Sequence, residues 1–374
     1  MNLLPPSSSK RIFGLDFLRA VAILWVVYDH STSYINHKYQ FWFYLPINFF
    51  DGVTVFFVLS GYLIGNIFLT QFYGNDFSFK KIVRFWIRRW LRTLPAFYFV
   101  YGVFFLYILI SDKALEQFSF KIFFFVQNFL SPPPNWFLEA WSLSVEEWFY
   151  VLFPVTIFVV SFIFKRKKNI LLMVLSIFLL LPLTLRLYYF YTDNFQKFPL
   201  IEYRNVVLFR LDSVMFGVLA AAVQKRFYSF LKSRKNILLL IGCIIFVFRF
   251  VIVTFAIRMN LYFSVLLFTI EPFAIFLCIP FFADWQIDFR KYFFSKTITI
   301  ISVVSYSAYL LNKTTIQNVI IIEFLQRTHL DKVSWVYLTI PVYFAYWIIV
   351  VMLSVSLHLL IEKPVMQWRD RKFI

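Results

Sequence analysis

Long apolar runs follow one another along almost the whole chain, separated by short basic segments, and this alternation restricts the fold more than any other feature. A membrane-crossing helix needs roughly 17 to 25 mostly apolar residues at a rise of about 1.5 Å each. That ruler predicts ten spans, near 13–33, 47–72, 91–110, 136–164, 169–188, 205–223, 236–256, 260–283, 297–322 and 335–361. The apolar piece 121–130 is too short to cross, so it is expected to lie at the interface or to re-enter. Composition agrees: 61% of the 374 residues are hydrophobic and 23% are aromatic, far from the make-up of a water-soluble domain. The expected fold class is therefore all-α, a polytopic membrane helical bundle.

Charge placement sets the orientation. Basic residues of cytoplasmic loops outnumber those of outer loops. With the N-terminus inside, 24 Lys and Arg fall on the inner segments and eight on the outer loops. Both termini are thus expected to be cytoplasmic, in the inner membrane of the cell. The formal net charge of +18 belongs to this pattern, and no nucleic-acid partner is expected. Lys10-Arg11 and the apolar stretch after them resemble a signal peptide, but Asp16, Arg19 and the lack of a small-residue cleavage site predict a retained first helix. Cys243 and Cys278 are too few for a disulfide framework or a Cys-rich metal site. With no internal repeat and no outer loop longer than about thirty residues, the chain reads as one domain, 1–374, whose chemistry must reside inside the bundle.

Ionisable side chains at membrane depth cost about 2.5 to 3.5 kcal/mol on insertion scales, so each one marks a candidate site. Arg19 and His30 are eleven residues apart, three turns plus about 20°, which puts them on one face of the first helix about 16 Å from each other. Asp16 lies one turn before Arg19 and can pair with it. The plainer reading makes His30 an interfacial histidine and Arg19 a snorkelling anchor. The fourth span follows Ser131-Pro132-Pro133-Pro134-Asn135, with Asn135 as its expected N-cap, and contains Glu146 and Glu147 in apolar surroundings. Ser142 and Glu146 share a face, and Glu147 points about 100° away. Because this helix descends while the first ascends, Glu146 is expected to meet and orient His30, letting the imidazole take a proton from an alcohol. A polar network that only binds helices together is the simpler alternative. The segment Arg84 to Pro95 holds Arg84, Arg88, Arg89 and Arg92, a density suited to phosphate groups or equally to lipid headgroups.

These motifs together resemble the acyltransferase 3 family of multi-pass membrane O-acyltransferases, over most of the chain. Arg19, ten residues and His30 match its opening motif, and Asp51-Gly52 to Leu63-Ile64 its second-helix pattern. Arg88, Arg89, Arg92 and Pro95 match its arginine-rich motif, and Trp141-Ser142-Leu143-Ser144-Val145-Glu146-Glu147-Trp148-Phe149-Tyr150 its most specific signature, which assigns the family glutamate to Glu146. Arg210 with Phe216-Gly217, and Ile361-Glu362-Lys363-Pro364, resemble the sixth-helix and C-terminal motifs. The chain departs from the family at Ser305-Tyr306-Ser307-Ala308-Tyr309-Leu310-Leu311-Asn312, where many members end on histidine, so no role of that histidine carries over to this chain.

The resemblance implies an acyl group, acetyl first of all, moved from cytoplasmic acyl-CoA to a hydroxyl of a cell-surface carbohydrate or glycolipid, with no bound cofactor and no metal. It implies His30 as general base with Glu146, and Arg88, Arg89 and Arg92 on the donor's phosphates, with Arg19 midway. Ser142, Tyr150 and Arg210 complete the expected donor-binding set. Many relatives carry an additional outer hydrolase-like domain, for which this chain is expected to have no room. Outer aromatics such as Trp42, Tyr188, Tyr189 and Tyr191 are candidates to stack on a sugar. A transporter or flippase, in which the same charges line a proton or substrate path, is the competing class.

Overall fold

A computed structural model describes residues 3–4, 11–32, 49–73, 78–110, 119–134, 137–192, 204–254, 265–288, 291–330 and 335–373. Its helices are α1 (Phe13–Ser31), α2 (Gly52–Tyr73), α3 (Phe79–Ile110), the single turn α4 (Phe120–Phe123), α5 (Ala140–Ile163), α6 (Lys167–Tyr191) and α7 (Leu211–Arg226). They are followed by α8 (Tyr228–Thr254), α9 (Leu267–Asp284) and α10 (Phe293–Leu311), which runs through a π-helical segment (Asn312–Ile322) into α11 (Glu323–Arg327). Last come α12 (Trp335–Leu357), a π-helical turn (His358–Glu362) and α13 (Lys363–Phe373). There is no strand among the described residues, and the chain is a polytopic helical membrane protein.

Eight helical stretches among the described residues are long and apolar enough to cross a bilayer. The other two expected spans also form helices, with physical differences. In α1 the charges of Asp16, Arg19 and Asp29 dilute the apolar run of a 19-residue helix. At 16 residues α7 is about 24 Å long, short of a hydrocarbon layer of about 30 Å. The third expected span, 91–110, is joined without a break to the basic segment before it, so that one 32-residue helix carries Arg84 to Arg92 and then the apolar run. Pro95 sits inside it, where its ring removes one ladder hydrogen bond. Asn135, expected as the N-cap of the fourth span, lies outside the described residues, and α5 begins at Ala140.

Small residues draw the central helices together. Gly61 and Gly65 are four apart on one face of α2, and a Cβ at Gly61 would overlap the carbonyl oxygen of Val214 on α7. Reciprocally, a Cβ at Gly217 would overlap the carbonyl oxygen of Val58. Without an apolar driving force between helices in lipid, such backbone-to-backbone contact supplies the packing energy. α1 is held in the same way, with Gly14 against Phe282 of α9 and Gly52 of α2 against the carbonyl of Ala22. Large apolar side chains point outward on the other faces, among them Ile110 (83% exposed) and Phe162 (76%), as a lipid-facing surface requires.

The short segment expected at the interface is tucked onto the start of α5. After α4 the chain turns at Phe125 with φ 57°. Gln127 Nε2 then donates to Ser144 Oγ at 2.7 Å, and Asn128 Nδ2 donates to the carbonyls of Trp141 (3.0 Å) and Asn205 (2.6 Å). Non-helical backbone at this depth is tolerated because protein groups satisfy it.

Candidate functional site

A cleft with about 710 Å³ of atom-free space lies between α1, α2, α3, α5 and α10. It is lined by Arg19, Arg89, Arg92, Ser142, Glu146 and Tyr309, with apolar walls from Val53, Phe56, Phe57 and Leu143. Five of the expected site residues, Arg19, Arg89, Arg92, Ser142 and Glu146, therefore come together from three separate helices.

The polar knot at the arginine end is built as follows. Arg89 donates to the hydroxyl of Tyr150 and, at 3.2 Å, to Ser60 Oγ, with its guanidinium stacked 4.3 Å above the Tyr150 ring. The Tyr150 hydroxyl donates in turn to Glu146, whose Oε2 is 3.5 Å from Arg89. Tyr150 therefore stands behind the cleft and clamps two of its walls. Arg92 lines the cleft with no hydrogen bond or ion pair among the described residues, which leaves its charge available to an anion. Asp16, expected to pair with Arg19, is 3.8 Å from it but is engaged chiefly by Arg11 and by Ser302 Oγ at 2.8 Å. Glu147 points away from the cleft, as its 100° offset predicts, and accepts from Thr93 at 3.0 Å.

Besides His30 and Tyr150, two more expected residues, Arg88 and Arg210, are not in the cleft wall. Arg88 is turned elsewhere, and its carbonyl accepts from Arg369 of α13 at 3.2 Å. Arg210 is fully buried (0% exposed) and braces α2, donating to Thr54 Oγ1 at 2.6 Å with Asp51 4.0 Å away. Its lack of solvent contact fits a structural brace and removes it from the donor-binding surface. Arg204 completes that brace, 2.8 Å from Asp51 and 5.0 Å above the Trp141 ring. Burial alone would raise the Asp51 carboxyl, but the Arg204 and Arg210 guanidiniums outweigh it and hold the group at about 2. A depressed value means that its stabilisation is complete above the ordinary carboxylate range and is lost as the pH falls toward 2. Asp51→Asn is therefore expected to cost about 2 kcal/mol at neutral pH, with a melting difference from wild type that narrows steadily below pH 4. Melting curves at pH 7 and pH 3 check this, and an unchanged gap would assign the loss to another cause.

His30 has a different partner from the one its spacing suggested. Its Nδ1 hydrogen-bonds to Oδ1 of Asn312, the residue that stands where the resemblance leads one to look for histidine. Asn312 Nδ2 donates to the carbonyls of Ala308 at 2.9 Å and Tyr309 at 2.7 Å. Carbonyls can only accept, so this network assigns the amide orientation. Oδ1 must face the ring, and Nδ1 must carry the proton.

The expected His30–Glu146 contact fails on depth. Glu139, at the start of α5, bonds to Lys313 and Thr314 next to Asn312, and so marks the level of His30. Glu146 is seven residues, about 10 Å, further along α5, level with Arg89. Cationic neighbours satisfy it there. The two ends are still connected, since Ser142 Oγ and the Tyr309 hydroxyl are 2.5 Å apart and the Tyr309 carbonyl holds Asn312.

Several buried pairs escaped the sequence reading: Arg186 with Asp212 at 2.6 Å, Arg249 with Glu271, and His358 with Glu362 at 2.7 Å. Only the last has a local signal, the i, i+4 spacing on one helical face. Trp42 lies outside the described residues, whereas Tyr188 and Tyr191 at the end of α6 are exposed.

In this many-helix membrane protein an internal cleft is cationic at one end and linked at the other, through Ser142 and Tyr309, to the hydrogen-bonded imidazole of His30. A family model described as an acyltransferase domain matches residues 12–359, and the chain belongs to that family, acyltransferase 3. Peptidoglycan O-acetyltransferase OatA of Listeria monocytogenes is 33% identical over 196 residues, 46% of this chain and 28% of the relative. YrhL of Bacillus subtilis, whose name provisionally assigns it the same activity, is 33% identical over 178 residues, 43% of this chain and 26% of the relative. The chain thus aligns with little more than a quarter of the length of these curated relatives. No solved structure matches it significantly.

Proposed function

We propose that the protein moves an acetyl group from acetyl-CoA, taken at the cytoplasmic side of the inner membrane, to a hydroxyl of a cell-surface carbohydrate, of which peptidoglycan is one example. The observation that carries this is the continuity of the cleft's cationic wall, through Ser142 and Tyr309, with the His30–Asn312 pair. Arg89 and Arg92 would receive the phosphates of the donor, with Arg19 in the same cleft wall. The level of Arg19 is about 16 Å from His30, a distance that the long pantetheine arm suits. Glu146 and Tyr150 would hold Arg89 in place.

At the other end, His30 Nε2 takes the proton of the acceptor hydroxyl as its oxygen attacks the thioester carbonyl. The carbon–sulfur bond then breaks, the thiolate leaves, and the imidazolium returns the proton to sulfur. Every atom is accounted for, and no metal or bound cofactor enters.

The positive-inside pattern, and the basic residues gathered at the start of α3, support a cytoplasmic entrance for the donor. The test is acceptor-dependent consumption of acetyl-CoA by the purified protein in detergent, with peptidoglycan fragments and other envelope glycans as acceptors. Acetyl ester on the glycan, found by mass spectrometry, is the expected result. Turnover that appears only in sealed vesicles with an ion gradient would favour a transporter instead.

A further inference from the structure

Glu139 does not line the cleft, and its carboxylate is almost wholly buried (3% exposed) where α5 begins. Its bonds all go to one place. Oε1 accepts the N–H of Lys313 at 3.0 Å and of Thr314 at 2.5 Å, and Oε2 accepts the Thr314 hydroxyl at 2.5 Å. These amides follow directly on the point where α10 gives way to the π-helical segment. In an uninterrupted α-helix the N–H of Lys313 would donate to the carbonyl of Tyr309. Here the Asn312 side chain donates to that carbonyl, and to Ala308, while Glu139 receives the Lys313 amide.

The two side chains have in effect traded places with the backbone. A wider helical turn of this kind leaves groups that need outside partners, and such turns gather at functional sites. Leu138 adds a further tie, its N–H donating to Thr314 Oγ1 at 3.2 Å, so the start of α5 grips the altered turn from two adjacent residues.

We propose that Glu139 is a positioning residue for His30: by binding the Lys313 and Thr314 amides it keeps the helix open at Asn312, turns Asn312 Oδ1 toward the ring, and so fixes a proton on Nδ1. Without Glu139 the Lys313 amide returns to the Tyr309 carbonyl. Asn312 Nδ2 then loses one of the two acceptors that set its orientation, the amide can rotate, and a donor instead of an acceptor can face His30. The consequence for chemistry rests on the acyl-transfer reading; the consequence for the ring tautomer does not.

The chain has four histidines, so ¹⁵N-histidine labelling in lipid nanodiscs, with His30→Gln to assign the signal, reads the tautomer directly. Wild type is expected to show Nδ1–H. Glu139→Gln, whose amide oxygen can accept both N–H groups, should keep that signature and lose less than about 3-fold in kcat. Glu139→Ala, and Glu139→Asp whose shorter carboxylate cannot reach both amides, should give mixed tautomers. They should also lose about 10-fold or more in kcat, with the KM for acetyl-CoA little changed.

Should the alanine variant fail to fold, the aspartate variant decides, since it keeps the charge and differs by one methylene. A folded Asp or Ala variant with the unmixed wild-type tautomer overturns the proposal. If the tautomer follows Glu139 as described while wild-type protein transfers no acyl group to any acceptor, the functional reading fails and the positioning role stands.

Discussion

His30→Ala is expected to lower kcat for acetyl transfer by about 10³-fold while leaving the folded protein intact, the largest activity effect foreseen for a single side chain. The magnitude follows from removing a positioned general base, whose typical contribution is about 10² to 10⁴. The fold should survive because the residue sits at the last turn of α1, and the buried contacts of that helix are made by Ala22, Ile23, Val26 and Val27. The cleft-lining Arg19, Arg89 and Arg92 are untouched, so the KM for the donor should barely move. Rates measured at saturating acetyl-CoA, beside melting curves of both proteins, check the assignment. A stable variant that keeps more than about a tenth of the wild-type rate would place the base on another residue.

Gly61→Leu is expected to produce the largest loss of stability, about 3 kcal/mol or more. The Cβ alone would overlap the backbone of Val214, and backbone cannot swing aside as a side chain can. Separating α2 from α7 also opens the contacts of Val58, Leu59, Val214 and Val218, each at most 1% exposed. Gly102 on α3 provides the control, since nothing lies within 4 Å of a Cβ built there. Gly102→Leu should melt like wild type, whereas Gly61→Leu should melt well below it or fail to purify as a single species. Equal melting of the two variants would mean that the α2–α7 crossing contributes little.

The sequence disclosed the helices because lipid-spanning runs are local and long, and every predicted span left a helix in place. It misread α3, where charges at Arg84 to Arg92 look like a loop until one sees that they line one continuous helix. Depth was harder still. Counting from Asn135 put Glu146 near His30, but what fixes the register is the contact of Glu139 with Lys313 and Thr314, 174 and 175 residues away in sequence. The cationic half of the site was legible from Arg19, Arg89, Arg92 and Glu146, whose motif spacings are local. Asn312 was visible only as a departure from the family pattern, and nothing in the residues around it indicated that it would hold the imidazole. Arg186 and Asp212, on separate helices, show the same limit: a pair buried by tertiary packing has no signature in spacing.

The unbroken course of α3 has a mechanical consequence. At 32 residues it is about 48 Å long, some 18 Å more than the hydrocarbon it crosses, so its first turns stand clear of the lipid tails while its last turns remain within them. Arg89 and Arg92 are thus mounted on the same continuous helix as the apolar run that follows Pro95. Their distance along the helix axis from the apolar run is set by the helical rise of about 1.5 Å per residue, and does not depend on the course of the surrounding loops.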